Sequence, residues 1–309
     1  MLCSLAHSFP PQVAELLERD RGLKRNFREE SVTDMLMFSL VGLRPFGIRV
    51  DFPDEPTTGG DMDWVFAAPQ DVGGGRYLRI ILQAKRAQFC KSKGGYWYYQ
   101  HLDHEKGKQA STLVSHAATS PRGMSTLPLY IFYHPTSALS GKTATLPAVE
   151  GVNLVFAHQV APVVAGGCKR KAKTVETWRG SFMPLSDILC WPLVPTMRPK
   201  GTASTGSLGF QIAGGPPGTV PFAASFHPDI VATRLETRLE TSRGKAAQPA
   251  RGADRITATS GIPDEVQRAI EGSDTDNDRK ALKRPRIIFA TRMSRTDPAF
   301  DIAMRRGSS

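Results

Sequence analysis

The stretch Asp61-Met62-Asp63-Trp64-Val65-Phe66-Ala67, followed after a glycine-ended joint by Leu78-Arg79-Ile80-Ile81-Leu82-Gln83-Ala84-Lys85, decides how the chain is read. Alternate residues of a strand share a face. Asp61, Asp63 and Val65 therefore point one way, and Met62, Trp64 and Phe66 the other. In the second segment Leu78, Ile80, Leu82 and Ala84 make an apolar face, with Arg79, Ile81, Gln83 and Lys85 opposite. A hairpin folded about Val72 sets Asp61 against Gln83, Asp63 against Ile81 and Trp64 against Ile80. The two apolar faces then coincide, as do the two polar ones, and a slip of one residue would mismatch both. The pattern predicts Asp61, Asp63, Gln83 and Lys85 together at one end of one face. Two carboxylates on one strand face repel; a divalent cation or a lysine relieves that. Hard cations such as Mg2+ take carboxylate, amide and carbonyl oxygens, which Asp61, Gln83 and the Ala84 main chain carry. Lys85 is suited to orienting a water and offsetting phosphate charge. The same alternation also suits a plain half-exposed hairpin that turns its polar face to water.

Working outward, Val32, Met35, Leu36, Leu40 and Leu43 recur at helical spacing and predict a helix over 28–43. Residues 47–52 read as a strand, ended by Pro53 and a turn-rich run over 54–60. Pro11 with Val13, Leu16 and Leu17 predicts a short helix that opens with proline in its first turn. After the hairpin come the aromatic run Tyr96-Trp97-Tyr98-Tyr99, a helix over 104–118, a continuous apolar strand over 127–134 and another strand over 151–157. Beyond Pro199 the composition turns to Gly, Pro, Ser, Thr and charge. A helix over 263–271 and a strand over 286–290 stand out there, and the rest reads as linker or disorder. The expected organisation is a folded domain over 1–199 and a basic, partly disordered, largely irregular region over 200–309.

At this point the residues resemble a known superfamily. Asp61, an intervening strand and loop, then Gln83-Ala84-Lys85 look like the D…(E/Q)xK signature of PD-(D/E)xK nucleases, and the glutamine form is similar to that of Mrr-like restriction endonucleases. The run 60–64, Gln83-Ala84-Lys85-Arg86, the helix with Gln109 and the strand from Pro128 look like an uncharacterised bacterial family within that group. The resemblance implies an α/β, restriction endonuclease-like core (helix, three strands, helix, strand) on a mixed central sheet. It implies a Mg2+- or Mn2+-dependent nuclease hydrolysing phosphodiester bonds, of DNA ahead of RNA, in restriction, anti-phage defence, repair or a mobile element. It assigns Asp61, Gln83 and an acid of the first helix to the metal, Lys85 to catalysis, and Asp63 to a second-ligand role or to hydrogen bonding with Lys85. Glu30 is the preferred helix acid and Glu29 the alternative. Two departures matter: Gly60 rather than Pro precedes Asp61, and Gln83 removes one negative charge from the site. The alternative reading is a catalytically idle module of the same fold that binds nucleic acid or a protein. Such nucleases often pair to cut both strands, so a homodimer is an open expectation.

The net charge of +11 and pI near 9.7 suit a polyanionic partner, and most of the surplus falls after residue 135. Lys169-Arg170-Lys171-Ala172-Lys173 is a compact run suited to phosphates, or simply to water. Tyr96–Tyr98 and Tyr99 suit base stacking or the core, and His101 with His104 lacks a third ligand in sequence. Cys3, Cys90, Cys168 and Cys190 lie far apart with neither CxxC nor Cys/His ligand spacing. That argues against a zinc module or disulfide scaffold and for thiols in a reducing compartment. No stretch approaches the ~18–20 apolar residues that span a bilayer, and no secretion signal opens the chain, so a cytoplasmic location is expected. Neither a phosphate-loop Lys-Ser/Thr nor a Gly-x-Ser-x-Gly elbow is present.

Overall fold

A computed structural model describes residues 2–21, 27–53, 62–91, 95–119, 126–139, 150–190, 226–243, 256–292, 295–296 and 300. Two helices open the chain, α1 (Leu2–Asp20) and α2 (Glu29–Val41), followed by strands β1 (Ile48–Asp51) and β2 (Met62–Ala68). A short helix α3 (Gln70–Gly73) leads to the long strand β3 (Arg76–Arg86), and a two-stranded ribbon β4 (Gln88–Cys90) and β5 (Tyr96–Tyr98) follows. Next come α4 (Lys108–Ala118), β6 (Thr126–Tyr133), α5 (Thr136–Leu139), β7 (Val152–Phe156), α6 (Ala157–Val164), α7 (Val175–Trp178), β8 (Met183–Pro184) and α8 (Ser186–Leu189). The C-terminal part adds α9 (Pro228–Arg243), β9 (Thr259–Ser260), α10 (Asp264–Glu271), α11 (Asp276–Lys280) and β10 (Arg286–Ala290).

The fold is α/β on a mixed central sheet of order β1-β10-β2-β3-β6-β7-β8, with β9 paired to β3. β10 runs parallel to β2 and β6 parallel to β3; β2 and β3 are antiparallel. The hairpin holds the register its side-chain pattern dictates: Met62 faces Leu82, Asp63 faces Ile81 and Trp64 faces Ile80. Its joint is a helical turn closed by Gly74 and Gly75, both at positive φ, where a side chain would be strained.

One sheet face carries Trp64, Phe66, Leu82, Leu129 and Phe289 against apolar residues of α1, α2 and α9. The opposite face is covered as well. Ile81, Tyr130 and Phe132 meet Leu113 of α4 and Val160 of α6, while Val65 and Ile288 meet Val266 of α10. This overturns the picture of a hairpin with one face in water. Asp63, Gln83 and Lys85 are only 6%, 3% and 4% exposed, and a buried charge or amide must be compensated.

Three other expectations change. The first helix begins nine residues before Pro11, so Pro10 and Pro11 lie inside α1. Leu2, Ala6, Phe9, Val13 and Leu17 continue one buried stripe through them, and that burial outweighs the ~3 kcal/mol that an interior proline costs. The region after 199 is not an appendage: β10 lies between β1 and β2, and Val231, Leu235 and Leu239 of α9 join the main core. Cys3 and Cys190, 187 residues apart, form a disulfide that ties α1 to the end of α8, against the expectation of unpaired thiols. Among the described residues, no helix is long and apolar enough to cross a membrane.

Candidate active site

Lys85 and Arg86 end β3 where the start of α2 meets the sheet. Arg86 holds that junction: its guanidinium lies 3.0 Å from the buried Asp20 carboxylate and donates to the Phe27 carbonyl. Asp20 in turn accepts from the Phe27 amide at 2.8 Å. One turn into α2, the Thr33 hydroxyl donates to the Glu29 carbonyl at 3.1 Å and meets the Tyr133 hydroxyl at 3.0 Å, tying α2 to β6. These contacts place Glu29 at the first position of the helix, over the end of β3. Its carboxylate accepts from the Arg86 amide at 3.1 Å and sits 4.0 Å from the Lys85 ammonium.

Glu30, the preferred acid in sequence, is exposed. Its charge is felt by Asp34, whose carboxyl is pushed up by burial and then by Glu30. The acid beside Lys85 is therefore Glu29. Gln83 is buried on the same face of β3 as Lys85 and pairs in register with Tyr130 of β6. Asp61 lies outside the described residues.

Asp63 is engaged elsewhere: Arg79 donates to it and Arg284 lies 3.6 Å from its other oxygen. The reason is distance along the strand. Asp63 faces Ile81, and Lys85 is four residues further, about 13 Å at ~3.3 Å per residue. That spacing was legible in the sequence. The same cluster acts on His116 of α4, whose imidazole is pushed down by burial and then by Arg284 and Arg79.

The basic run and the aromatic run, distant in sequence, come together. Arg170–Lys173 forms a 3-10 turn lying along β5, with the Tyr99 amide donating to the Lys173 carbonyl at 2.9 Å. The Arg170 guanidinium lies 4.2 Å from the Tyr96 ring centroid, and Arg21 of the α1 end lies 5.0 Å from Trp97 and 5.1 Å from Phe89. Lys169 and Lys171 are exposed, whereas Lys173 is paired with Asp103 at 2.5 Å. Of the aromatic run, Tyr99 alone is fully in the core; the ribbon rings are half-buried. His101 and His104 are both exposed, with ring centroids 6.2 Å apart.

In sequence Glu29 stood only as the alternative to Glu30, and the ribbon was missed. Neighbouring glutamates in a helix's first turn look alike until the helix is docked, and three-residue strands carry too little alternation to register. No curated protein matches the chain, and no solved structure does. A family model does match, over residues 2–296. That extent runs from α1 through β10, so the chain belongs to the family of unknown function DUF6615.

Proposed function

We propose that this chain is a metal-dependent nuclease of the PD-(D/E)xK type that hydrolyses phosphodiester bonds, with DNA ahead of RNA as substrate. The observation that carries the reading is a buried ammonium, Lys85, at the end of a central strand, 4.0 Å from a helix carboxylate and two residues from a buried glutamine. A charge kept in the sheet interior is costly unless paired, and a buried ion pair is weak evidence for a stabilising role. The order α2, β1, β2, β3, α4, β6 is also that of the restriction endonuclease-like core. Glu29, the Gln83 amide and Asp61, one residue ahead of β2, make an all-oxygen donor set suited to Mg2+ or Mn2+. Such an ion supplies Lewis-acid polarisation of the phosphate and a more acidic bound water. Lys85 offsets the charge that develops on the phosphate, and Glu29 holds Lys85 in place. The ribbon with Arg21, Arg170, Lys169 and Lys171 is the surface along which nucleic acid would lie.

Cleavage of plasmid and oligonucleotide substrates with Mg2+ or Mn2+ tests this. Wild type cuts, and Asp61→Ala and Lys85→Ala each lose about 100-fold or more, as removal of one preorganised charge does. Absence of metal-dependent cutting on every DNA and RNA form tried would sink it. The basic-aromatic ribbon favours a second reading, a binding module without catalysis. Salt-sensitive binding that survives both substitutions, with no cutting by wild type, would select that one.

A further inference from the structure

Far from Lys85, the first two turns of α1 and the residue that follows α8 bring three ligand-type side chains together. Cys3 and His7 are one helical turn apart and so share a face of α1. Cys190 meets them from the other side, and the two sulfurs and a His7 ring nitrogen all lie within 4.8 Å of one another. The Cys190 Sγ to His7 Nε2 distance is 3.6 Å. A tetrahedral zinc ion with Zn–S of ~2.3 Å and Zn–N of ~2.0–2.1 Å needs that separation to be about 3.6 Å, and it needs the two sulfurs about 3.8 Å apart, so the S–S bond must open first.

We propose that Cys3, His7 and Cys190 form a three-ligand site for zinc, occupied when the two sulfurs are thiols and closed when they are joined as the disulfide. The exchange balances simply. A dithiol reductant passes two electrons and two protons to the Cys3–Cys190 bond and becomes a disulfide itself. Zinc then displaces both thiol protons, forms two Zn–S bonds and one Zn–N bond, and leaves its fourth position to solvent. The Cys3–His7 spacing was passed over in sequence, and the third ligand lies 187 residues from the first.

Full-length protein, reduced with a dithiol and desalted without air, is titrated with zinc against a metallochromic competitor. Co2+ serves in parallel as the spectroscopic probe. The expected result is one zinc per chain and a thiolate-to-cobalt charge-transfer band, both lost on reoxidation to the disulfide and in Cys190→Ser. His7→Ala, at an exposed position that leaves the fold intact by circular dichroism, weakens zinc by about tenfold or more. Failure of the reduced wild type to take up zinc would overturn the proposal. So would uptake that persists in the oxidised protein, or affinity that His7→Ala leaves unchanged.

Discussion

Lys85 is held inside the sheet by contacts that serve position more than stability. Its side chain is 5% exposed and its carboxylate neighbour Glu29 is 28% exposed. Replacing a whole buried ion pair by uncharged side chains of similar volume is often neutral or stabilising by ~1–4 kcal/mol, whereas removing one partner leaves the other charge uncompensated. Lys85→Met combined with Glu29→Gln is therefore expected to keep or raise the urea midpoint relative to Lys85→Met alone while cleavage falls to background. A loss of stability with cleavage retained would mark Lys85 as structural. Glu29→Gln and Glu30→Gln separate the two helix acids: the first reduces cleavage at least about tenfold, the second leaves it within about threefold, because a water-facing charge is screened. Two buried histidines make the fold less stable in acid. Burial pushes the His134 imidazole down to about 3 and that of His227 down to about 4. In His134 the Nδ1–H donates to the Glu150 carbonyl at 3.1 Å, and the Tyr99 hydroxyl donates to Nε2 at 2.5 Å, an arrangement of neutral imidazole. Both folded values lie below the ordinary 6.5, so the native state binds fewer protons than the unfolded chain. Their contribution is present above pH 6.5 and is lost as pH falls toward 4 and then 3. Between pH 7 and pH 5 each costs about 2 kcal/mol of stability. Urea unfolding at the two pH values checks this, and His134→Gln should remove about half the difference.

At the scale of elements, the hairpin was legible, and of the first helix only the part from Pro11 onward. Strict alternation on both strands admits one register, and β2 and β3 adopt it. The prolines of α1 speak against a helix locally; only the docked stripe from Leu2 to Leu17 outvotes them. That docking is close. A Cβ at Gly151, just ahead of β7, would lie 1.8 Å from the Pro10 carbonyl oxygen, which is backbone and cannot swing aside. Gly151→Ala is therefore expected to destabilise by about 1–3 kcal/mol, the range for forced overpacking. A chemical denaturation curve coincident with wild type would show that α1 can retreat freely. α9 went unread because Leu235 and Leu239, four apart on one face, are embedded in Arg-Leu-Glu-Thr repeats that look solvated. The buried Arg234 beside them donates to the Ile188 and Cys190 carbonyls at 3.1 and 3.2 Å.

For the whole molecule, the decisive feature is the insertion of the last strand. β10 pairs with β1 on one side and β2 on the other. Phe289 stacks on Phe66 at 4.7 Å, and Arg286 pairs with Asp51 at 2.9 Å. Ile287, Ile288 and Phe289 are fully buried; at ~1.5–3 kcal/mol each they contribute about as much as a domain's entire net stability. A chain ending at residue 255 is expected to lack a cooperative thermal or urea transition. A cooperative transition near that of the full chain would mean that the sheet closes without β10. The family match through residue 296 agrees with treating this strand as part of the common fold.

By itself the sequence determined the local parts: the hairpin register, the helix over α2, the apolar strand β6, the segments that become α10 and β10, and the polar set Gln83 and Lys85 on one face of β3. These follow from periodicities of two and 3.6 residues, which are properties of a chain segment. Tertiary structure alone decided which glutamate stands beside Lys85, that Asp63 belongs to Arg79 and Arg284, and that both faces of the sheet are covered. It also decided that the last strand is inserted between β1 and β2, and that Cys3, His7 and Cys190 meet. All of these depend on contacts between residues far apart along the chain, and no local pattern encodes which of several similar side chains such contacts will choose.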